Sequence, residues 1–348
     1  MKITTYNSKK IAILNAVAII LVLLLHSYYS EAEGFTIANK IQLFTGTIGL
    51  SGVAVPLFYF ISGLLFFKSV ESVKDCASGI RKRIHTLLVP YVIWNVIFVG
   101  WYVAMHFTPG VSQFVNSDIL SHFSWSHLLS SLSFLLIEPA GFHLWFLRDL
   151  MLYVAFTPLL YYLLKRYPWI TLITIYCVFG GISRFGMTYF ALGAMVALHY
   201  GLERLESRLS KPVVIICGVY FMANAVMAAI PECGKIIGCP YFSQIANTAG
   251  ILFVWRGYDF ALKIVGHSKI IDVMIQASKY SFFIYLFHEP AFNIIKKLGL
   301  KFVGDCELSL VTLYFVNPFL IVLVAIAVAM LINKCMPNVY SVLIGGRK

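Results

Sequence analysis

The feature that most constrains this chain is a succession of apolar stretches of bilayer length, separated by short polar turns. A helix needs about 20 apolar residues to cross the roughly 30 Å hydrocarbon core. The candidate spans are 11–29, 43–67, 84–106, 143–164, 168–181, 185–200, 212–230, 244–262, 280–298 and 308–333. Only 12% of the 348 residues are charged, against about 25% in a soluble domain, and mean hydropathy is +0.83. The pattern predicts an all-α, polytopic membrane bundle of about ten transmembrane helices. No polar stretch is long enough to fold separately, so residues 1–348 read as a single integral membrane domain with no soluble appended domain.

The formal net charge of +12 does not make this a nucleic-acid-binding chain. Its basic residues sit in short clusters between apolar segments, as in cytoplasmic loops. A basic stripe with interleaved aromatics is missing. With the N-terminus inside, and with Arg256, Lys296 and Lys297 near span ends counted with the adjoining loops, twenty of the 27 lysines and arginines fall on the inner side and six on the outer, with Arg148 deeper in a span. That bias predicts both termini cytoplasmic. Lys2, Lys9 and Lys10 before an apolar core also resemble a signal peptide. The core is long for one, however, and Ser27–Glu33 offers no clear small-x-small cleavage site. An uncleaved first helix is the expectation.

The longest loop is 107–142. Its 127–137 part is apolar but too short to span, which suggests a re-entrant or interfacial helix. The stretch Gly46 to Gly63 lies within a span, where small residues allow close helix packing. Cys233 and Cys239 share an outer loop, where either a local disulfide or two free thiols is compatible with the sequence. Cys177 and Cys217 read as small buried apolars. The cysteine spacing does not describe a zinc site, and no metal is expected.

The chemistry lies in the polar groups within spans, because an ionisable group in hydrocarbon is costly and points to function. His26 ends the first apolar run. Asn15 precedes it by eleven residues, within about 20° on the same helix face and roughly 16 Å along the axis. Gly141-Phe-His143-Leu-Trp145-Phe-Leu-Arg148-Asp149 opens the fourth span. Arg148 there must face protein, a water-filled cavity or an anion, with Asp149 an imperfect partner about 100° around the helix. Ser281…Tyr285-Leu-Phe-His288-Glu289-Pro290 sets a histidine and a carboxylate beside a proline that frees a backbone carbonyl. Arg81, Lys82 and Arg83 form a basic cluster at the cytoplasmic mouth. Read alone it is positive-inside charge; in context it suits the phosphates of a cytosolic donor. The whole layout fits group transfer across the membrane, and equally a transporter or exporter of a glycan or organic anion, or a structural subunit of an envelope-synthesis complex.

An ordered set of segments resembles the acyltransferase 3 family of integral membrane O-acyltransferases. These are the first helix ending in His26, Phe60-Ile-Ser62-Gly63, Lys82-Arg83…Leu87-Leu88-Val89-Pro90-Tyr91, His143-Leu-Trp145-Phe-Leu-Arg148, Phe190-Ala-Leu-Gly193 and Ser281…Tyr285-Leu-Phe-His288. The resemblance implies ten core helices in the inner (plasma) membrane. It implies transfer of an acyl group, most often acetyl, from cytosolic acyl-CoA as co-substrate, with no permanently bound cofactor. The acceptor would be a hydroxyl of a cell-envelope glycan or lipid-linked sugar. Its catalytic histidine maps onto His26 and its third-helix basic motif onto Arg83. Arg148 would stabilise the thioester oxyanion or orient the acceptor, while His143, Trp145 and His288 would line the acceptor side. Arg81, Lys82, Arg83 and Asn15 would lie on the donor side. Two positions depart from the family pattern: Asn15 and Thr86 stand where it usually has arginines, so either Lys9, Lys10, Arg81 and Lys82 compensate or donor binding is altered. Expected partners are therefore acyl-CoA, the glycan acceptor and the lipid bilayer, with self-association left open and nucleic acid excluded.

Overall fold

A computed structural model describes residues 3–108, 139–179, 186–266 and 268–347. Among them the regular structure is helical throughout. The apolar 127–137 stretch lies outside the described residues, as does Arg184. Each of the ten apolar segments contributes helix, including Thr5–His26, Ala54–Phe67, Val89–Phe107, Lys211–Ala228 and Glu307–Cys335. Among the described residues five helical stretches are long and apolar enough to cross a membrane, or up to seven if each of two bent pairs is one span. Pro168–Phe179 is apolar but only 12 residues long.

The outward faces explain why hydrocarbon is the solvent. Ile215, Ile216 and Val219 on one helix, and Leu323, Val324 and Leu331 on another, are all exposed. A soluble protein rarely leaves apolar surface this continuous in water. The polar side chains turn inward instead: Lys10, Ser27, Gln42, Asn95, His288 and Asn317 are buried. The chain is a multi-pass membrane protein.

Helices missed by hydropathy are short or polar. Val73–Arg83 and Gly201–Arg208 are charged amphipathic helices between spans, and Lys269–Ser278 precedes the ninth span at a 63° bend. Pro231–Ile237 contains Cys233, and Cys239 follows it; the two are separate free thiols. Cys177 is exposed and Cys217 half-buried, so neither belongs to the core as expected. The ninth span continues as one helix, Ser281–Val303, through position 290.

The chain forms two compact units. The first comprises residues 1–77 and 156–327, the second 78–155 and 328–348. In the first, Ala54–Phe67 packs closely along Met187–Met195. Gly63 and Gly193 make that approach possible. A Cβ on Gly63 would strike the Phe190 carbonyl, and one on Gly193 would strike the Phe60 carbonyl and lie 2.8 Å from Leu64 N. Two of the family-like segments, Phe60–Gly63 and Phe190–Gly193, are thus the two sides of one contact. In lipid, close backbone packing replaces the hydrophobic drive between helices. The first helix then lies against Ala54–Phe67, Lys269–Ser278 and Ser281–Val303.

In the second unit, Pro337–Leu343 packs on Val89–Phe107, and Trp94 Nε1 donates to Leu343 O at 3.2 Å. This contact joins the segment after the Glu307–Cys335 helix to the Val89–Phe107 helix.

Gly193→Leu is expected to force the two backbones apart, an overpacking that costs about 1–3 kcal/mol or more. Thermal unfolding in detergent should show it as a lower midpoint. Gly257→Leu, where nothing lies within 4 Å of an added Cβ, should leave the midpoint unchanged. Equal losses in both variants would refute the close-packing account.

Candidate active site

The first helix ends at His26, and its last carbonyls have no partner within the helix. A cation fills that gap: Lys296 Nζ reaches the His26 carbonyl at 3.4 Å and the Tyr28 carbonyl, and lies 5.0 Å over the Tyr29 ring. The turn that follows is pinned from several sides. Ser27 Oγ donates to Tyr314 O at 2.7 Å, Tyr29 N donates to Gln42 Oε1 at 2.7 Å, and Asn317 Nδ2 donates to the Tyr29 hydroxyl at 2.5 Å. These bonds fix the helix end that carries His26.

The His26 ring meets two neighbours on the Ser281–Val303 helix. Its Nδ1 pairs with the Glu289 carboxylate. Its ring stands edge-on to that of His288, with centroids 4.9 Å apart and planes at 68°. A carboxylate accepts from Nδ1, so Nε2 becomes the basic nitrogen of His26. Asn293 Nδ2 donates to the other Glu289 oxygen at 3.3 Å. His288 is fully buried, and its Nδ1 sits 2.7 Å from the Tyr285 carbonyl. A carbonyl can only accept, so His288 carries its proton on Nδ1. His26 and Glu289 are each about one-fifth exposed, at 22% and 18% for their side chains. The group is reachable but largely dry. A cavity of about 420 Å³ lies against another face of the same helix end, lined by Leu24, Leu25, Tyr28, Gln42, Thr47 and Tyr314 among others, and His26, His288 and Glu289 are not part of its lining.

His26, His288 and Glu289 each bring a ligand atom within 4.8 Å of the other two. Two imidazoles and a carboxylate are a donor set that zinc accepts. In this structure His26 Nδ1 and a Glu289 oxygen are paired with each other.

The sequence brought His26 and His288 forward; the structure joins them and adds Glu289, which stood in the motif without a role. Asn15 is half-buried on the same helix. The other expected residues belong to the second unit. Arg148 Nε donates to Asp149 Oδ1 at 2.9 Å, so the neighbouring carboxylate is a direct partner after all. His143 is buried in a short turn at Phe142–Leu144, edge-to-face with Phe98 at 5.2 Å. Trp145 opens the Trp145–Ala155 helix and is half-buried. Arg81 and Lys82 are exposed and Arg83 is half-buried, at the end of Val73–Arg83.

One cluster in the first unit carried no sequence signal beyond positive-inside charge. Lys10 is fully buried. Its Nζ lies 2.9 Å from Glu206 Oε1 and 2.9 Å from both Asp259 oxygens, and 4.7 Å over the Trp255 ring. Arg256 Nη1 and the Tyr6 hydroxyl also donate to Asp259, at 2.7 and 2.6 Å. Lys10 is therefore committed to carboxylates and does not replace a missing donor-side arginine. Lys9 is exposed.

Residues 9–334 match the acyltransferase 3 family, described as an acyltransferase domain. The match spans nearly the whole chain, and the chain belongs to that family: it is an acyltransferase, which sets aside the exporter and structural-subunit readings. One relative is the succinoglycan biosynthesis protein ExoH of Rhizobium meliloti (strain 1021), 24% identical over 326 residues, covering 88% of this chain and 82% of that protein. No solved structure matches.

Removing one member of a buried ion pair strands its partner charge, at a cost of about 3–5 kcal/mol. Lys10→Met should accordingly lower the thermal midpoint strongly, whereas Lys9→Met should not. A Lys10→Met protein as stable as the parent would show that the cluster contributes little to the fold.

Proposed function

We propose that this protein is a membrane O-acyltransferase that moves an acyl group, acetyl in the simplest case, from cytosolic acyl-CoA to a hydroxyl of a cell-envelope polysaccharide or its lipid-linked precursor. The observation that carries this reading is the His26–Glu289 pair beside buried His288. The name of the succinoglycan relative supports a polysaccharide acceptor, and in this reading the enzyme works in the plasma membrane.

In this reading Glu289 holds the His26 ring through Nδ1, leaving Nε2 to take the acceptor's proton. The alkoxide attacks the thioester carbonyl, and the C–S bond breaks. The imidazolium returns the proton to the departing CoA thiolate. Glu289 stabilises the imidazolium while it exists, as a carboxylate does behind any histidine base. His288, neutral with its proton facing the Tyr285 carbonyl, buttresses the ring without competing for the proton. Arg148, its fork fixed by Asp149, is assigned the polarising of the thioester or the orienting of the acceptor. Arg81, Lys82 and Arg83 are assigned the donor phosphates, and His143, Trp145 and Asn15 remain supporting positions.

With purified protein and labelled acetyl-CoA, His26→Ala should abolish both acyl transfer and slow CoA release. Glu289→Gln keeps the shape but removes the charge; it should lower turnover by about 10²–10⁴ with little change in the KM for acyl-CoA. Activity should survive exhaustive chelation. Full transfer by the His26 variant would end the general-base assignment, and loss of activity on chelation with recovery on adding zinc would replace it with a metal centre.

A further inference from the structure

The last residues described in the second unit fold back onto the basic end of the third span. After Pro337–Leu343, Gly345 and Gly346 both take positive φ, +67° and +69°, a conformation open mainly to glycine. The turn is closed by Gly345 N to Val342 O at 3.1 Å and Gly346 N to Ser341 O at 2.7 Å. It lies flat on the π-helical turn Ile84–Leu88: a Cβ on Gly345 would come within 2.7 Å of Thr86 O and 2.8 Å of Thr86 Cα. Arg347 follows, and its Nη1 bridges Thr86 O at 2.6 Å and Ile344 O at 2.8 Å. This is a built position for a guanidinium.

Its electrostatic neighbour is another arginine. Burial, followed by the like charge of Arg83, pushes the Arg347 guanidinium down to about 9. Arg83 is half-buried and makes no ion pair with a described residue. Arg81, Lys82 and His85 are exposed in the same basic segment. Arg347 docks on the Thr86 carbonyl, three residues after half-buried Arg83, and two like charges gathered on one short segment repel unless an anion lies near both. Arginine's planar fork matches phosphate oxygens.

We propose that Arg347, set in place by the Gly345–Gly346 turn, joins Arg83 to form a binding site for the phosphates of the nucleotide part of the acyl donor. The inference rests on the donor proposed above and adds to it a binding residue more than 250 positions from the basic cluster.

The test is equilibrium binding to the full-length protein in detergent. CoA and inorganic pyrophosphate serve as phosphate-bearing probes, and pantetheine as the probe without a nucleotide. Arg347→Met should weaken CoA and pyrophosphate by about tenfold or more, the worth of a hydrogen bond to a charged group, and leave pantetheine unchanged. Arg347→Lys should restore part of the loss. Gly345→Val, which alters no charge, should reproduce it by lifting the turn from Thr86. Thermal midpoints without ligand separate these effects from unfolding. Unchanged CoA and pyrophosphate affinity in a folded Arg347→Met protein would overturn the proposal. Equal weakening of pantetheine would also overturn it, as a merely structural effect. Arg347-dependent pyrophosphate binding without any turnover of acyl-CoA would uphold the anion site and refute the donor. Binding of neither phosphate probe by the parent protein would refute both.

Discussion

Hydrocarbon offers no hydrogen bonds, so a polar group inside this bundle has to find its partner in the protein. That constraint shapes the first helix at both ends. Near one end, Lys10 is locked between Glu206 and Asp259; at the other, His26 meets Glu289 and Lys296. Sixteen residues of helix separate the two, about 24 Å at 1.5 Å per residue. The first pairing leaves Lys10 fully buried with both neighbouring carboxylates engaged. The second leaves one imidazole nitrogen of a partly exposed His26 outside its pairing with Glu289. The same physical requirement thus gives a structural clamp in one place and a reactive group in the other.

The difference lies in what each partner does with its charge. Asp259 receives Lys10, Arg256 and Tyr6 at once, which leaves its oxygens no capacity for chemistry. Glu289 holds one ring nitrogen of His26 and one amide of Asn293. A carboxylate so placed can follow a proton onto the ring and off again without moving. Fixing the turn at Ser27 and Tyr29 matters for the same reason: a base that drifts by an ångström loses much of its advantage.

Much of the fold was legible because hydropathy reports the solvent directly. The apolar runs became helices, and the small residues at Gly63 and Gly193 proved to be a contact, as small residues in spans usually are. His26 and His288 were visible for the same reason, as polar side chains where polarity is costly. Their meeting was not visible, since nothing local links positions 26 and 289; only the packing of two helices does. Lys10 was hidden by its own neighbourhood, because lysines at a cytoplasmic helix end are the rule and a buried one looks the same in sequence. Arg148 was judged by the angle between helix positions, but a long guanidinium side chain reaches around that angle to Asp149. The short helices at Val73–Arg83 and Lys269–Ser278 were passed over because a span-length window averages them with their surroundings.

Thr86 shows how an absence in sequence can be filled in space. The resemblance expects an arginine there, and its loss alone suggests a weakened donor site. The backbone of Thr86 instead receives a guanidinium from Arg347, through a glycine turn that tolerates no side chain against it. Charge near Arg83 is therefore supplied from the far end of the sequence, and the geometry of that delivery depends on a contact between the start of the third span and the segment that follows the last.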